Sequence, residues 1–146
     1  MPKTMTAMRP PAHVLAGAIF DSEGRVLVAQ RPSGKHMAGG WEFPGGKREP
    51  GEERIEALRR ELQEELGIDV HSAEPLVCYD HQYPDRLITL DLWLVTKYSG
   101  VPSSCEGQTL GWVKVADLEK TGLLEADKPM IPALERVESW ALGCKL

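Results

Sequence analysis

Three glutamates, Glu61, Glu64 and Glu65, lie close together in the segment Arg60-Glu61-Leu62-Gln63-Glu64-Glu65-Leu66. On a helix advancing about 100° per residue from Ile55 at 0°, they fall between about 180° and 280°. Ile55, Leu58, Leu62 and Leu66 occupy an adjoining stripe roughly 80° wide, which suits burial. Glu61/Glu64 and Glu61/Glu65 are then like charges at i,i+3 and i,i+4, which cost about 0.2–0.5 kcal/mol each unless something positive sits between them. A divalent cation removes that cost. Mg2+ suits oxygen ligands of this kind and keeps room for water and for the phosphates of a substrate. The plainer alternative is a solvated face laced with ion pairs, because Glu56/Arg60 and Arg60/Glu64 are opposite charges at i,i+4.

The carboxylates need a helix and a scaffold to hold them. Residues 53–66 are predicted to be helical, ending at Gly67, a residue suited to a left-handed cap. Upstream, residues 14–20 read as a buried strand, 21–24 as a turn and 25–30 as a returning strand, a hairpin. Residues 32–41 are loop-like, with Pro32, Gly34, Gly39 and Gly40, and lead into Trp41-Glu42-Phe43 and Pro44-Gly45-Gly46. Downstream, Leu87 to Tyr98 reads as a strand with Leu90, Leu92 and Leu94 on one face, and Leu110 to Val115 as another. From about Asp127 to Cys144, Ile131, Leu134, Val137 and Leu142 recur at helical spacing, with Pro129 tolerated in the first turn. Strands interleaved with helices imply an α/β or α+β sandwich.

The bulk numbers set limits. A chain of 146 residues fits a single domain, taken as a flexible tail over 1–12 and a folded domain over 13–146. A net charge of −5 offers no footprint for a phosphate backbone, so polymeric nucleic acid is not an expected partner. Small anionic substrates stay open, since a bound cation inverts the local sign of a site. The three cysteines, Cys78, Cys105 and Cys144, fit neither a disulfide framework nor a zinc site and read as reduced thiols. No segment has the apolar run of a secretory signal or the roughly 20 residues of a membrane span, so a soluble cytoplasmic protein is expected, with no membrane partner.

Gly46, five residues, Glu52, seven residues and then Arg60-Glu61-Leu62-Gln63-Glu64-Glu65-Leu66-Gly67-Ile68 resemble the full signature of the Nudix hydrolases, with no departure. A chance match at any given start is on the order of 10⁻⁸ for seven positions at average usage. The resemblance implies a Nudix-type α/β/α sandwich with a mixed sheet, and a Mg2+ ion, for which Mn2+ substitutes, held by Glu61, Glu64 and Glu65 with the carbonyl of Gly45. It also implies that Glu52 and Arg60 brace the loop against the helix. Gly45-Gly46 lets the backbone approach a metal–phosphate complex where a side chain would obstruct it. The cation neutralises charge on the phosphates and makes water easier to deprotonate. Glu61 ranks first as the base and Glu106 second.

The likeness extends to the MutT branch, which sanitises oxidised nucleotides. It runs through Ala29-Gln30-Arg31, His36-Met37-Ala38, Trp41-Glu42-Phe43-Pro44-Gly45-Gly46-Lys47, Tyr83-Pro84-Asp85-Arg86, Cys105-Glu106-Gly107-Gln108 and Leu124-Glu125-Ala126-Asp127. By this resemblance Glu106 adds a carboxylate to the metal site, Arg31 reaches phosphate or base, and Phe43, Asp85 and Arg86 line the base pocket. Lys47 joins the substrate-binding set, while His36 receives no role. An exposed loop acid, a turn ion pair and simple packing are the plain alternatives for Glu106, for Asp85/Arg86 and for Phe43. Asp127 departs from the asparagine of the bacterial MutT enzymes. An ionised aspartate only accepts hydrogen bonds: it suits N7–H of 8-oxoguanine but repels O6 unless protonated, and it equally suits the amine of cytosine. Its alternative is a helix cap.

The expected activity is hydrolysis of 8-oxo-dGTP, or a similar oxidised purine triphosphate, to monophosphate and pyrophosphate. CTP, dCTP or a modified cytosine nucleotide is the alternative substrate. A non-catalytic nucleotide-binding regulator is the alternative from another class, and either a monomer or a small homo-oligomer is compatible.

Overall fold

Side chains along Arg86–Ser99 alternate between two buried environments. Leu90 and Leu92 pack with Met130, Ile131 and Leu134 on one side, while Trp93 and Val95 pack with Leu58, Leu62 and Leu66 on the other. A strand buried on both faces must lie between two covering layers. A computed structural model describes residues 8–35 and 37–144, with side chains through Glu138. It shows a mixed α+β domain with strands sandwiched between helices. Residues 1–7 of the expected tail, His36 and the side chains of Leu142 and Cys144 lie outside the described residues.

The strands are β1 (Ala12–Ala18), β2 (Arg25–Gln30), β3 (Trp41–Glu42), β4 (Gly45–Lys47), β5 (Asp69–Tyr83), β6 (Arg86–Ser99) and β7 (Thr109–Lys114). The helices are α1 (Arg54–Leu66), the short α2 (Leu118–Thr121) and α3 (Ile131–Cys144). One sheet runs β4-β1-β6-β5 and the other β3-β2-β7. The first is mixed: β1 is parallel to β6 and antiparallel to β4. β1 serves both layers, sending Leu15 toward α1 and Ala16 and Ala18 toward α3.

Helix α1 forms where the apolar stripe predicts it. The Glu53 amide donates to the Glu56 carboxylate at 2.8 Å, closing the first turn. Gly67, at φ 72°, ends the helix by donating its amide to the Gln63 carbonyl at 2.9 Å, a left-handed cap that glycine adopts without a Cβ penalty.

Three expectations change. The hairpin of 14–20 with 25–30 does not form as one ladder, because β4 and β6 already flank β1 and leave no edge for β2. β2 joins the other sheet, linked to β1 through the bridge Phe20–Val26. The long strand β5 escaped the periodicity because its register shifts between Val70 and Ser72, Ser72 and Ala73, and Pro75 and Val77, and each bulge resets the alternation. The last helix starts at Ile131, preceded by a 3-10 segment over Glu125–Met130. Pro129 and Pro132 have no amide hydrogen to donate, which delays the first full α turn.

Candidate active site

Arg60 ties the loop after β4 to helix α1. Its Nε and Nη2 form a fork onto Glu52 at 2.7 and 2.9 Å, and Nη2 also donates to the Lys47 carbonyl at 2.9 Å. Nη1 reaches Glu61 at 2.9 Å and Glu64 at 3.4 Å. The Arg60 fork, helped by the Glu49 amide, holds the Glu52 carboxyl down at about 2, so Glu52 is an anionic anchor at any ordinary pH. Lys47 contributes its carbonyl here, and the residue itself is exposed.

Helix and loop then meet at van der Waals contact. A Cβ on Gly46 would collide with the Glu61 carboxylate, and one on Gly45 with the Leu15 carbonyl. Gly46 is required by the approach to the helix, and Gly45 by the approach to β1. Glu65, only 8% exposed, faces the Gly45 amide and the Gln108 side chain, which both pull its carboxyl down. Burial first, then the charges of Glu42 and Glu106, push its carboxyl up to about 8. Burial also raises Glu61, with Glu64 and Glu106 adding to it against the pull of Arg60. Glu64 stands on the outer flank with its side chain 52% exposed. The cleft beside the helix is lined by Arg31, Glu42, Gly45, Glu65, Glu106 and Gln108, so the strand before the helix and the loop after β6 both supply carboxylates facing Glu65.

An all-oxygen donor set whose carboxyls resist ionisation because of burial first and of one another second fits a hard divalent cation, which would favour their ionised forms together.

The far end of the cleft is built differently. Arg31 places Nη1 on both oxygens of Glu42, at 3.3 and 3.2 Å. Burial raises the Glu42 carboxyl against this pull. Glu42 in turn raises both Glu65 and Asp127, so it lies electrostatically between the helix carboxylates and the 3-10 segment. Asp127 is 7% exposed, and its Oδ2 accepts the Phe43 amide at 3.2 Å. Burial, then the Glu42 charge, pushes it up to about 7. The cap reading of Asp127 gives way, because the bond goes to β3's exit and the 3-10 segment has Leu124 at its cap position. Tyr79 donates to the Ala126 carbonyl at 2.6 Å, fastening the turn that carries Asp127.

Not every expected residue is brought here. Phe43 is 4% exposed and its ring packs in the α3-side core, while its amide serves Asp127. Asp85 and Arg86 sit at the turn between β5 and β6 and engage the N-terminal segment: Asp85 lies 3.9 Å from Arg9, and Arg86 donates to the Pro10 carbonyl at 2.9 Å. Neither is among the residues that line the cleft. Glu42, Gln108 and the cleft residue Lys35 were not singled out from the sequence. Glu42 had one readable signal, a place next to core-facing Phe43, whose strand neighbour must face the other way.

Comparison with known proteins agrees with this architecture. A NUDIX domain family model matches residues 15–133. An 8-oxo-dGTP diphosphatase of Proteus vulgaris is 52% identical over 86 residues, 59% of this chain and 77% of that protein. A CTP pyrophosphohydrolase of Escherichia coli K12 is 38% identical over 119 residues, 82% of this chain and 88% of that protein. Among solved structures, one from a structure and function analysis of MutT from Aliivibrio salmonicida and Vibrio cholerae superposes with a TM-score of 0.75 at 39% identity, covering 86% of this chain and 97% of that one. The signature cassette, the sandwich and these likenesses agree: the chain belongs to the Nudix hydrolase family.

Proposed function

We propose that the protein hydrolyses an oxidised purine nucleoside triphosphate, 8-oxo-dGTP or a close relative, to the monophosphate and pyrophosphate in the cytoplasm, with Mg2+ as cofactor and Mn2+ able to replace it. The observation that carries the reading is Asp127, a buried carboxyl within the electrostatic reach of the cleft residues Glu42 and Arg31 and pushed up to about 7. In its protonated form it donates to O6 of 8-oxoguanine, and its other oxygen accepts from N7–H. The curated relatives named 8-oxo-dGTP diphosphatase support the same substrate.

Glu61, Glu64, Glu65, Glu106 and the Gly45 carbonyl would hold the cation. When bound it supplies charge neutralisation on the phosphates and a more acidic water. Glu61, raised by burial and steadied by Arg60, accepts the proton of the attacking water. Water adds to phosphorus, the inner phosphate bridge breaks, and the nucleoside monophosphate and pyrophosphate leave. Arg31 meets a phosphate or the base edge with its guanidinium, and Glu52 and Arg60 keep the loop in place.

A second reading rests on the same atom. Ionised Asp127 accepts from the exocyclic amine of cytosine, and a CTP pyrophosphohydrolase stands among the relatives. Measuring kcat/KM for 8-oxo-dGTP, dGTP, dCTP and CTP with Mg2+ decides between them. Preference for the oxidised purine supports the proposal, and a cytosine preference of about tenfold or more replaces it with the second reading. Absence of pyrophosphate release across the panel would make the chain a nucleotide-binding regulator.

A further inference from the structure

The helix that carries Glu61 and Glu65 is fastened at its first residue by a group outside the cleft. Asp91 on β6 is fully buried, 0% exposed. Its two oxygens are saturated. Oδ2 accepts from Arg54 Nε at 2.7 Å and from His13 Nε2 at 2.7 Å; Oδ1 accepts from Arg54 Nη2 at 2.9 Å and from Trp93 Nε1 at 2.9 Å. Burial opposes its ionisation, but the bonds from Arg54 and His13 outweigh burial and hold the carboxyl below its ordinary range. A carboxylate can only accept, so the His13 proton sits on Nε2. The Arg54 guanidinium also lies over the Trp93 ring, 5.0 Å from its centroid, a favourable cation–π contact.

His13, Cys78 and Asp91 bring ligand atoms within 4.8 Å of one another, donors that would suit a soft divalent cation. The carboxylate, however, has no lone pair left to offer, and a cation there would face the guanidinium charge of Arg54. The cluster acts on Arg54 instead.

Arg54 is the first residue of α1. The other holds on this helix are distributed along it: in its middle, Arg60 bonds Glu52 and the Lys47 carbonyl of the preceding loop. Leu58, Leu62 and Leu66 supply apolar packing, which is non-directional and tolerates small rotations and slides. At the far end, the Ser103 and Cys105 amides donate to the Leu66 and Glu65 carbonyls, each at 3.0 Å. The first turn gets a directional hold from the Asp91 fork, and the Arg48 amide, bonded to the His13 carbonyl at 2.8 Å, draws the preceding loop to the same corner. A buried ion pair often adds little net stability over an apolar replacement, yet it has one geometry in which it is satisfied.

We propose that Asp91 is a positioning residue for the metal-binding helix. Its fork to Arg54 sets the rotation and axial register of α1, so that Glu61 meets the Gly46 backbone and Glu65 meets the Gly45 amide. The inference rests on the proposed metal role of those glutamates.

The test compares wild type with the double variant Asp91→Leu/Arg54→Met, which strands neither charge, and with Arg54→Lys, which keeps the charge and loses the fork. Mn2+ affinity is measured by electron paramagnetic resonance without nucleotide, kcat and KM on the nucleotide the wild type turns over, and folding by thermal melting. The expected result is a cooperatively folded double variant whose Mn2+ dissociation constant rises about tenfold and whose kcat falls about tenfold, with KM nearly unchanged, and an intermediate Arg54→Lys. Should the double variant not fold, Arg54→Lys carries the test with the same readouts. Wild-type Mn2+ affinity and kcat in the folded variants overturn the proposal, as does a parallel loss of melting temperature and nucleotide affinity without a metal effect. Stoichiometric Zn2+ binding that Cys78→Ala abolishes overturns it in favour of a cation site. If wild type binds Mn2+ but releases no pyrophosphate, the functional reading fails while the Mn2+ comparison still decides this one.

Discussion

The two ends of the cleft differ in how far along the chain their partners lie. At the helix end, Arg60 reaches Glu52, Glu61, Glu64 and Lys47, all within 13 positions. At the other end, Asp127 meets Phe43 across 84 positions and Tyr79 meets Ala126 across 47. The first is a nearly self-contained loop and helix. The second exists only when β3, β5 and the 3-10 segment have been brought together. Chemistry common to a family can therefore be carried on a local cassette, while the selectivity proposed for Asp127 would rest on an assembly of distant segments that can change one side chain at a time.

This contrast can be tested by damaging each end separately, with the largest effect expected at the helix. Glu65→Gln keeps the shape but removes a carboxylate proposed to hold the cation, so kcat should fall on the order of 10³-fold. Binding of the monophosphate product, followed by calorimetry, should persist. Equal losses in turnover and product binding would mean that the two ends are not separable.

Asp127→Asn should act in the opposite sense. Its amide donates and accepts at any pH, so the ratio of kcat/KM for 8-oxo-dGTP over dCTP should rise about tenfold at pH 8, with Mn2+ affinity unchanged. A ratio that stays constant would remove Asp127 from base recognition.

The smallest effect concerns stability. Glu65 and Asp127 both have carboxyls raised in the folded chain, to about 8 and about 7. The folded state therefore binds more protons than the unfolded state between the ordinary carboxylate range and these values. Their contribution to stability is full below the unfolded pKa and is lost as pH rises through the folded pKa. The metal-free protein should accordingly melt at a lower temperature at pH 9 than at pH 5.5. Mg2+ should recover the part due to Glu65, and Asp127→Asn should flatten the part due to Asp127. A melting temperature that is level over this range without metal would contradict both shifts.

The helix end was legible in the sequence for the same reason that it is self-contained. Spacing along a helix turns directly into geometry, so the stripe through Leu58, Leu62 and Leu66 and the acidic face beside it could be drawn before any fold was known. The wheel even placed Glu65 at the margin of the apolar stripe, where the structure buries it. β5 was not legible, because its bulges break the period that reveals a strand. The expectation that Asp85 and Arg86 line a base pocket followed their place in a resembling segment, whereas their contacts with Arg9 and Pro10 arise only in the folded chain.

The sequence by itself determined the cassette: its helix, its cap at Gly67, its cluster of carboxylates and the membership of a family that goes with them. Tertiary structure alone decided that the Glu42 charge acts on both Glu65 and Asp127, that β1 and β2 part into different sheets, and that buried Asp91 grips Arg54 from 37 positions away. Local contacts are dictated by the repeat of a helix. Distant ones depend on strand order and on which surfaces are buried together, and a linear pattern does not encode those one residue at a time.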